Sequence, residues 1–235
     1  MPRQRAVQNE TANMQGRVLF ERCVYGEIGW KMRSVHQEIP DTFEPGNSLL
    51  VLSSSFATEG AEVCAELLSH GDGDDRHVLC VTFTCSPDDH LVKWRRHGAV
   101  PGRAAFVNVD ADGARSAFTD DRDVSATDVD ATVDHVGSPE NLTRLGVRTT
   151  NRLEELEDNV EDRRIVVCFD SVTELLQYVD VDQAFRFFHV MTDHLAESGA
   201  LAHFHMDPQA HDDETVDTVK TLFDGIVTVG DDAPE

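Results

Sequence analysis

The run Ile165-Val166-Val167-Cys168-Phe169-Asp170-Ser171 constrains this chain most, because an apolar stretch breaks abruptly into a carboxylate and a hydroxyl. An apolar run without alternation reads as a strand covered on both faces, as strands of parallel sheets are. Ligand sites of open α/β sheets lie at the carboxyl ends of the strands. A buried parallel strand here would deliver Asp170 and Ser171 to that edge.

The flanking sequence supplies the rest of such a sheet. Ser48–Ser53, His77–Thr84, Ala104–Val109, Ala200–Met206 and Gly225–Val229 read as further strands. Gly60–His70 is helical, with Val63, Leu67 and Leu68 on one face, and Gly71–Asp75 closes it. Ser86-Pro87-Asp88-Asp89 opens a helix running to about Gly98, with a hydroxyl cap, proline in the first turn and acids at the positive dipole end. Ser138-Pro139-Glu140-Asn141 repeats that pattern and predicts a helix to about Asp158. Val181–Glu197 is strongly amphipathic, and Asp212–Leu222 forms the last helix. Asp110–His135, rich in Asp, Ala, Ser and Thr, reads as a long loop with at most short structure. Strands alternating with helices imply an α/β fold, a mostly parallel central sheet flanked by helices on both faces. The expected organisation is an N-terminal extension over residues 1–40, one domain over 41–230 and an acidic tail over 231–235. Within the extension, Arg17–Val35 has poor periodicity and receives no assignment.

Charge narrows the function classes. The 235 residues carry 44 acids against 20 Lys and Arg, a formal net charge of −24. Phosphate neutralisation needs clustered Lys and Arg, so a nucleic-acid surface is not expected. A disordered acidic chain conflicts with 40% hydrophobic content and clear apolar runs. The remaining reading is a protein of a high-salt cytoplasm, where screening makes self-repulsion tolerable. None of the five cysteines forms a C-x-x-C pair, and three lie in apolar runs, as small core residues of a reducing compartment would. No run of about twenty apolar residues is present, so no membrane association is expected. Met1-Pro2-Arg3-Gln4-Arg5 lacks the apolar segment of a secretory signal, and the expected location is the cytoplasm.

The order of segments resembles the RecA superfamily in its KaiC-like branch, from about Thr42 to Val229. The likeness rests on "EPGNSLLVLS", "RIVVCFDSVTELLQY", "GALAHFHMDP" and "LFDGIVTV". "SPENLTRLGV", "FRFFHVMTDHL" and "DPQAHDDETV" are similar to a haloarchaeal KaiC-like group with no settled biochemical role. The resemblance implies a P-loop-type domain in which Asp170 and Ser171 occupy a Walker B position, whose Asp helps to hold the Mg²⁺ of a nucleotide.

The other half of that site is degenerate. Members that bind ATP carry G-x-x-x-x-G-K-[ST] after the first strand, because glycines admit the phosphates, Lys neutralises them and the hydroxyl binds Mg²⁺. Here the stretch is Ser54-Ser55-Phe56-Ala57-Thr58-Glu59-Gly60-Ala61, with Gly60 at the Lys position and Ala61 at the hydroxyl position. Losing a charge-assisted phosphate contact costs about 1.5–3 kcal/mol, and Glu59 adds repulsion. The resemblance also implies paired glutamates after the second strand to position the attacking water; Thr84-Cys85-Ser86 stands there instead. Ser54, Ser55, Thr58, Gly60, Asp170 and Ser171 are therefore expected to form a vestigial nucleotide site, with no catalytic residue and no resident ATP or magnesium.

The expected function is a non-catalytic regulatory or scaffolding module of signal transduction with a protein partner. The alternative is a nucleotide-binding switch or weak ATPase with an unconventional phosphate loop. RecA-like relatives assemble into rings, so the resemblance also implies a homo-oligomer. His203, His205, Asp207 and His211 form the best metal-like group, since positions i and i+2 of a strand share a face. The set contains no cysteine, and one side of a sheet is the simpler reading, so no metal is expected. Cys85 is a candidate thiol at a helix start that Asp88 and Asp89 would oppose, and Ser53-Ser54-Ser55 lacks a nucleophile elbow. Phe187 and His189 fall off the apolar face of their helix, where a partner could meet them. Trp94-Arg95-Arg96-His97 is the compact basic stretch and suits a helix end.

Overall fold

A computed structural model describes residues 44–54, 59–69, 76–83, 85–110, 129–157 and 164–229. Residues 1–40 and 231–235, the Gly71–Asp75 turn, Ser55, Thr58, Thr84 and most of the Asp110–His135 segment lie outside the described residues.

Seven strands form one sheet in the order β4-β3-β2-β5-β6-β1-β7, and every pairing is parallel. In chain order they are β1 (Ser48–Ser53), β2 (Arg76–Thr82), β3 (Arg103–Val109), β4 (Asp130–Val136), β5 (Arg164–Asp170), β6 (Leu201–Met206) and β7 (Gly225–Val229). The helices are α1 (Glu59–Ser69), α2 (Pro87–Arg96), α3 (Leu142–Glu157), the single turn α4 (Val172–Leu175), α5 (Val181–Glu197) and α6 (Asp213–Lys220).

Strand periodicity sorts the core into two halves. Leu49, Val51, Val78, Cys80, Phe106, Val166, Cys168 and Leu201 face α1 and α2. Leu50, Leu52, Leu79, Val81, Val107, Val167, Phe169 and Phe204 face α3, α5 and α6. The second half centres on aromatics. Phe169 stacks on Phe204 at 5.6 Å, and Phe188 meets both edge-on at 5.1 and 5.7 Å. With both faces covered, each central strand reads as a continuous apolar run, as Val166 to Phe169 does.

Local chemistry sets the element ends. Ser86 caps α2 with Pro87 in its first turn, as the sequence predicts. Asp180 and Gln183 form a reciprocal capping box at α5, and Gly199, at a φ of +69°, takes the left-handed position just beyond that helix. α3 is capped by Asn141, whose Oδ1 accepts from Arg144 N–H at 3.0 Å, and not by Ser138. Ser138 instead opens a turn, its carbonyl accepting from Asn141 N–H at 3.1 Å.

β4 corrects the expectation of a loop over Asp110–His135. Its apolar content is intermittent (Ala131, Val133, Val136), and Asp134 interrupts it. That acid is nonetheless buried, because Arg152 and Arg148 of α3 reach it at 2.6 and 3.7 Å. β2 stops at Thr82, two residues early, where the Thr82 hydroxyl donates to the Cys85 carbonyl at 2.7 Å and turns the chain.

Candidate functional site

β2 and β5 are neighbours whose chains leave in opposite directions. β2 runs into α2 over one face, while β5 runs into α4 and α5 over the other. Such a topological switch opens a crevice at the carboxyl ends, where α/β folds hold ligands. At that edge stand Thr82, which ends β2, Cys85 beyond it, His90 and Lys93 on α2, Asp170, which ends β5, and Ser171.

The polar groups of the crevice largely answer one another. The single Thr82 hydroxyl proton goes to the Cys85 carbonyl, so His90 Nε2, 2.9 Å away, must donate to Thr82 Oγ1. The same nitrogen lies 3.6 Å from Asp170 Oδ2. Proximity alone suggests an ion pair, but burial outweighs the attraction of Asp170 and pulls the His90 pKa down to about 4. His90 is therefore neutral at pH 7, and its contact with Asp170 is not a salt bridge. Lys93 Nζ donates to Cys85 Sγ at 3.2 Å. Ser171 Oγ accepts from Glu174 N–H at 3.2 Å as the cap of α4, and the Asp170–Ser171 peptide is cis. Burial, reinforced by the Asp170 charge, raises the Glu174 pKa.

Asp170 and Ser171 sit together at the end of β5, with β6 between β5 and β1, while Ser55 and Thr58 lie outside the described residues. Ser54 follows β1 and is half-buried. Gly60 packs α1 closely on β1, and a Cβ there would come 2.8 Å from Ser53 Oγ.

A second cluster lies beneath α1, on the same face of the sheet. Cys80, Cys168 and His203 stand side by side in register on β2, β5 and β6, and Cys64 reaches down from α1. Cys64 Sγ is 3.8 Å from Cys168 Sγ and 3.4 Å from His203 Nε2. The His203 and His205 rings meet edge-on at 5.1 Å. Cys64, Cys168 and His203 are buried, while His205 is partly open. Hydrogen bonding to Cys168 and burial raise the Cys64 thiol pKa. For Cys168, a hydrogen bond to Cys64 pulls down, but that to Cys80 and burial carry the pKa well up. Burial and the neighbouring His205 hold the His203 pKa well down. For His205, burial pulls down, yet hydrogen bonding and charge from Cys64 push the pKa up.

Of the four residues grouped by sequence, His203 and His205 do share a face. Asp207 and His211 go elsewhere. Thr173 Oγ1 accepts from Asp207 N–H at 2.8 Å and lies 3.2 Å from His211 Nε2, while Asp207 Oδ1 accepts from Gln209 N–H at 3.0 Å. The reading that no cysteine joins the histidines fails, because Cys64 and Cys168 do so from distant segments. His90, Lys93 and Glu174 were also missed. A histidine on the buried stripe of α2 shared with Leu91 and Trp94 was the signal for His90.

Phe187 packs partly into the core and lines a groove of about 650 Å³ between α3 and α5, while His189 is exposed. Among the described residues, no helix is long and apolar enough to cross a membrane.

A family model described as a family of unknown function, DUF7504, matches residues 46–229. The chain belongs to that family. The match spans β1 to β7, and therefore both clusters. No curated protein matches. A solved structure from Pyrococcus horikoshii OT3 is similar at 10% identity, over 80% of this chain and 84% of that one, with a TM-score of 0.49.

Proposed function

We propose that this DUF7504 member is a non-catalytic RecA/KaiC-like module that regulates or scaffolds a protein partner in a haloarchaeal cytoplasm. The observation that carries the reading is the closed polar circuit at the switch crevice. Thr82, Cys85 and His90 bond among themselves where a hydrolase of this kind needs carboxylates to hold water. Ser171, the other half of the Walker B-like pair, gives its oxygen to the α4 cap. The all-parallel sheet, with Asp170 at the end of β5, supports the RecA-like assignment. Val190, 68% exposed beside the α3–α5 groove, supports a role in contact with a partner. A homo-oligomer belongs to the same proposal.

Titration of Mg-ATP into the protein in concentrated KCl, followed by calorimetry and phosphate release, tests it. Neither saturable heat nor turnover is expected. Turnover that disappears in Asp170→Ala overturns the reading.

The second reading, a nucleotide-binding switch, draws support from Lys93, whose ammonium brings a cation into the crevice from α2. It predicts stabilisation of the folded protein by nucleotide without turnover, since a ligand that binds only the native state raises its melting temperature. That shift should vanish in Lys93→Ala.

A further inference from the structure

We propose that Cys64, Cys168, His203 and His205 form a tetrahedral site for a thiolate-preferring divalent cation of the zinc class, which fastens α1 to β5 and β6. The inference is independent of the proposed function and survives whether or not nucleotide binds.

The donor set is the first argument. Two sulfurs and two imidazoles make a combination typical of structural zinc, and unlike the oxygen-rich sets of magnesium or calcium. Geometry is the second. Metal–sulfur bonds of about 2.3 Å and metal–nitrogen bonds of about 2.0–2.1 Å, arranged tetrahedrally, place sulfurs about 3.8 Å apart and sulfur about 3.5 Å from nitrogen. The observed separations are 3.8 Å for Cys64 Sγ to Cys168 Sγ and 3.4 Å for Cys64 Sγ to His203 Nε2. One ligand atom from each of the four residues lies within 4.8 Å of the others.

Hydrogen-bond accounting is the third argument. His205 Nε2 is a buried ring nitrogen without a hydrogen-bond partner. Buried polar groups are nearly always satisfied, and orphans signal a missing ion or water. The backbone contributes pre-organisation. Cys168 and His203 are register partners, His205 lies two residues on along the same face, and α1 crosses above them. Cys80, the register partner of Cys168 on β2, flanks the ligand sulfur in the buried core. Four protein ligands leave no open position, so the ion is structural. The partly open His205 provides the way in.

The untagged full-length chain, stripped with chelator in concentrated KCl, should be titrated with Co²⁺ and then with Zn²⁺. One equivalent of Co²⁺ should give the intense ligand-field bands of a tetrahedral centre and a thiolate charge-transfer band, and one equivalent of Zn²⁺ should abolish both. Replacing outer-shell partners typically costs 10–100-fold in metal affinity, so loss of a ligand in Cys64→Ser or His205→Gln should cost about a hundredfold or more. His205→Gln is the safer variant because the residue lies at the rim, and circular dichroism checks its fold. The exposed His189→Gln should bind as the parent does. Weak octahedral bands, equal binding by His205→Gln, or a site lost in His90→Gln instead would overturn the proposal. So would thiol counting that shows a Cys64–Cys168 disulfide in freshly prepared protein.

Discussion

A single histidine at the carboxyl edge of the sheet sets an acid limit on the fold. His90 is buried and its pKa falls to about 4 from its ordinary value of 6.5. The unfolded chain therefore binds more protons than the folded one between about pH 6.5 and about pH 4. The neutral ring contributes its full stability above pH 6.5, and that contribution is lost as pH falls through the window. At about 1.4 kcal/mol per unit, the loss approaches about 3 kcal/mol. Urea unfolding followed from pH 7 to pH 4 should show this decline, and His90→Gln should flatten it. A slope unchanged in the variant would assign acid sensitivity to other groups. The same residue shows why site chemistry is hard to read from sequence. His90 is visible as a titratable group on an apolar stripe, but its neutrality comes from burial that outweighs the attraction of Asp170, and the strands that bury it lie elsewhere in the sequence.

At the level of elements, legibility followed how locally each element is specified. β1, α5 and β7 are found where the sequence predicts them, since α5 carries a capping box at one end and a glycine beyond the other, and β1 is the apolar run Leu49 to Leu52 between two serines. β4 is stabilised from outside itself. Its buried Asp134 is tolerable only because Arg152, eighteen positions on, supplies a charge at 2.6 Å. The zinc-class cluster is illegible in the sequence for the same reason. The i, i+2 spacing exposed His203 and His205, but Cys64 lies 139 residues from His203, and nothing local links them. Asp134 gives an element-scale prediction. Asp134→Ala takes the 2.6 Å carboxylate from Arg152, which is 12% exposed and keeps Glu155 at 2.7 Å, so the loss should fall below the about 3–5 kcal/mol of a buried charge left wholly uncompensated. Replacing both partners with apolar residues, Asp134→Leu with Arg152→Met, should recover most of that loss. Equal destabilisation in the single and double variants would mean that the pair does not clamp β4 to α3.

Across the whole molecule, charge is the property that packing does not offset. The net −24 is spread along the chain, and its acids occupy the outward faces of the helices. Glu154, Glu155 and Glu157 on α3, Asp182, Asp193 and Glu197 on α5, and Asp213, Glu214 and Asp217 on α6 are all exposed. Some of this is locally favourable, because Asp213 and Glu214 lie at the positive end of α6, and Lys220 pairs with Asp217 at 3.0 Å. The remainder is mutual repulsion that folding concentrates on one surface. Salt shortens its reach, since the Debye length falls from about 10 Å near 0.1 M to about 3 Å near 1 M. Stability should therefore climb steeply with KCl over that range and then level off as the screening length drops below the spacing of neighbouring carboxylates. Preferential exclusion of a salt from the surface would instead keep raising stability at higher concentration. Urea midpoints measured across a KCl series separate the two shapes. A flat response from the lowest salt upward would mean that the acidic surface does not strain the fold, and the high-salt reading of the composition would fall with it.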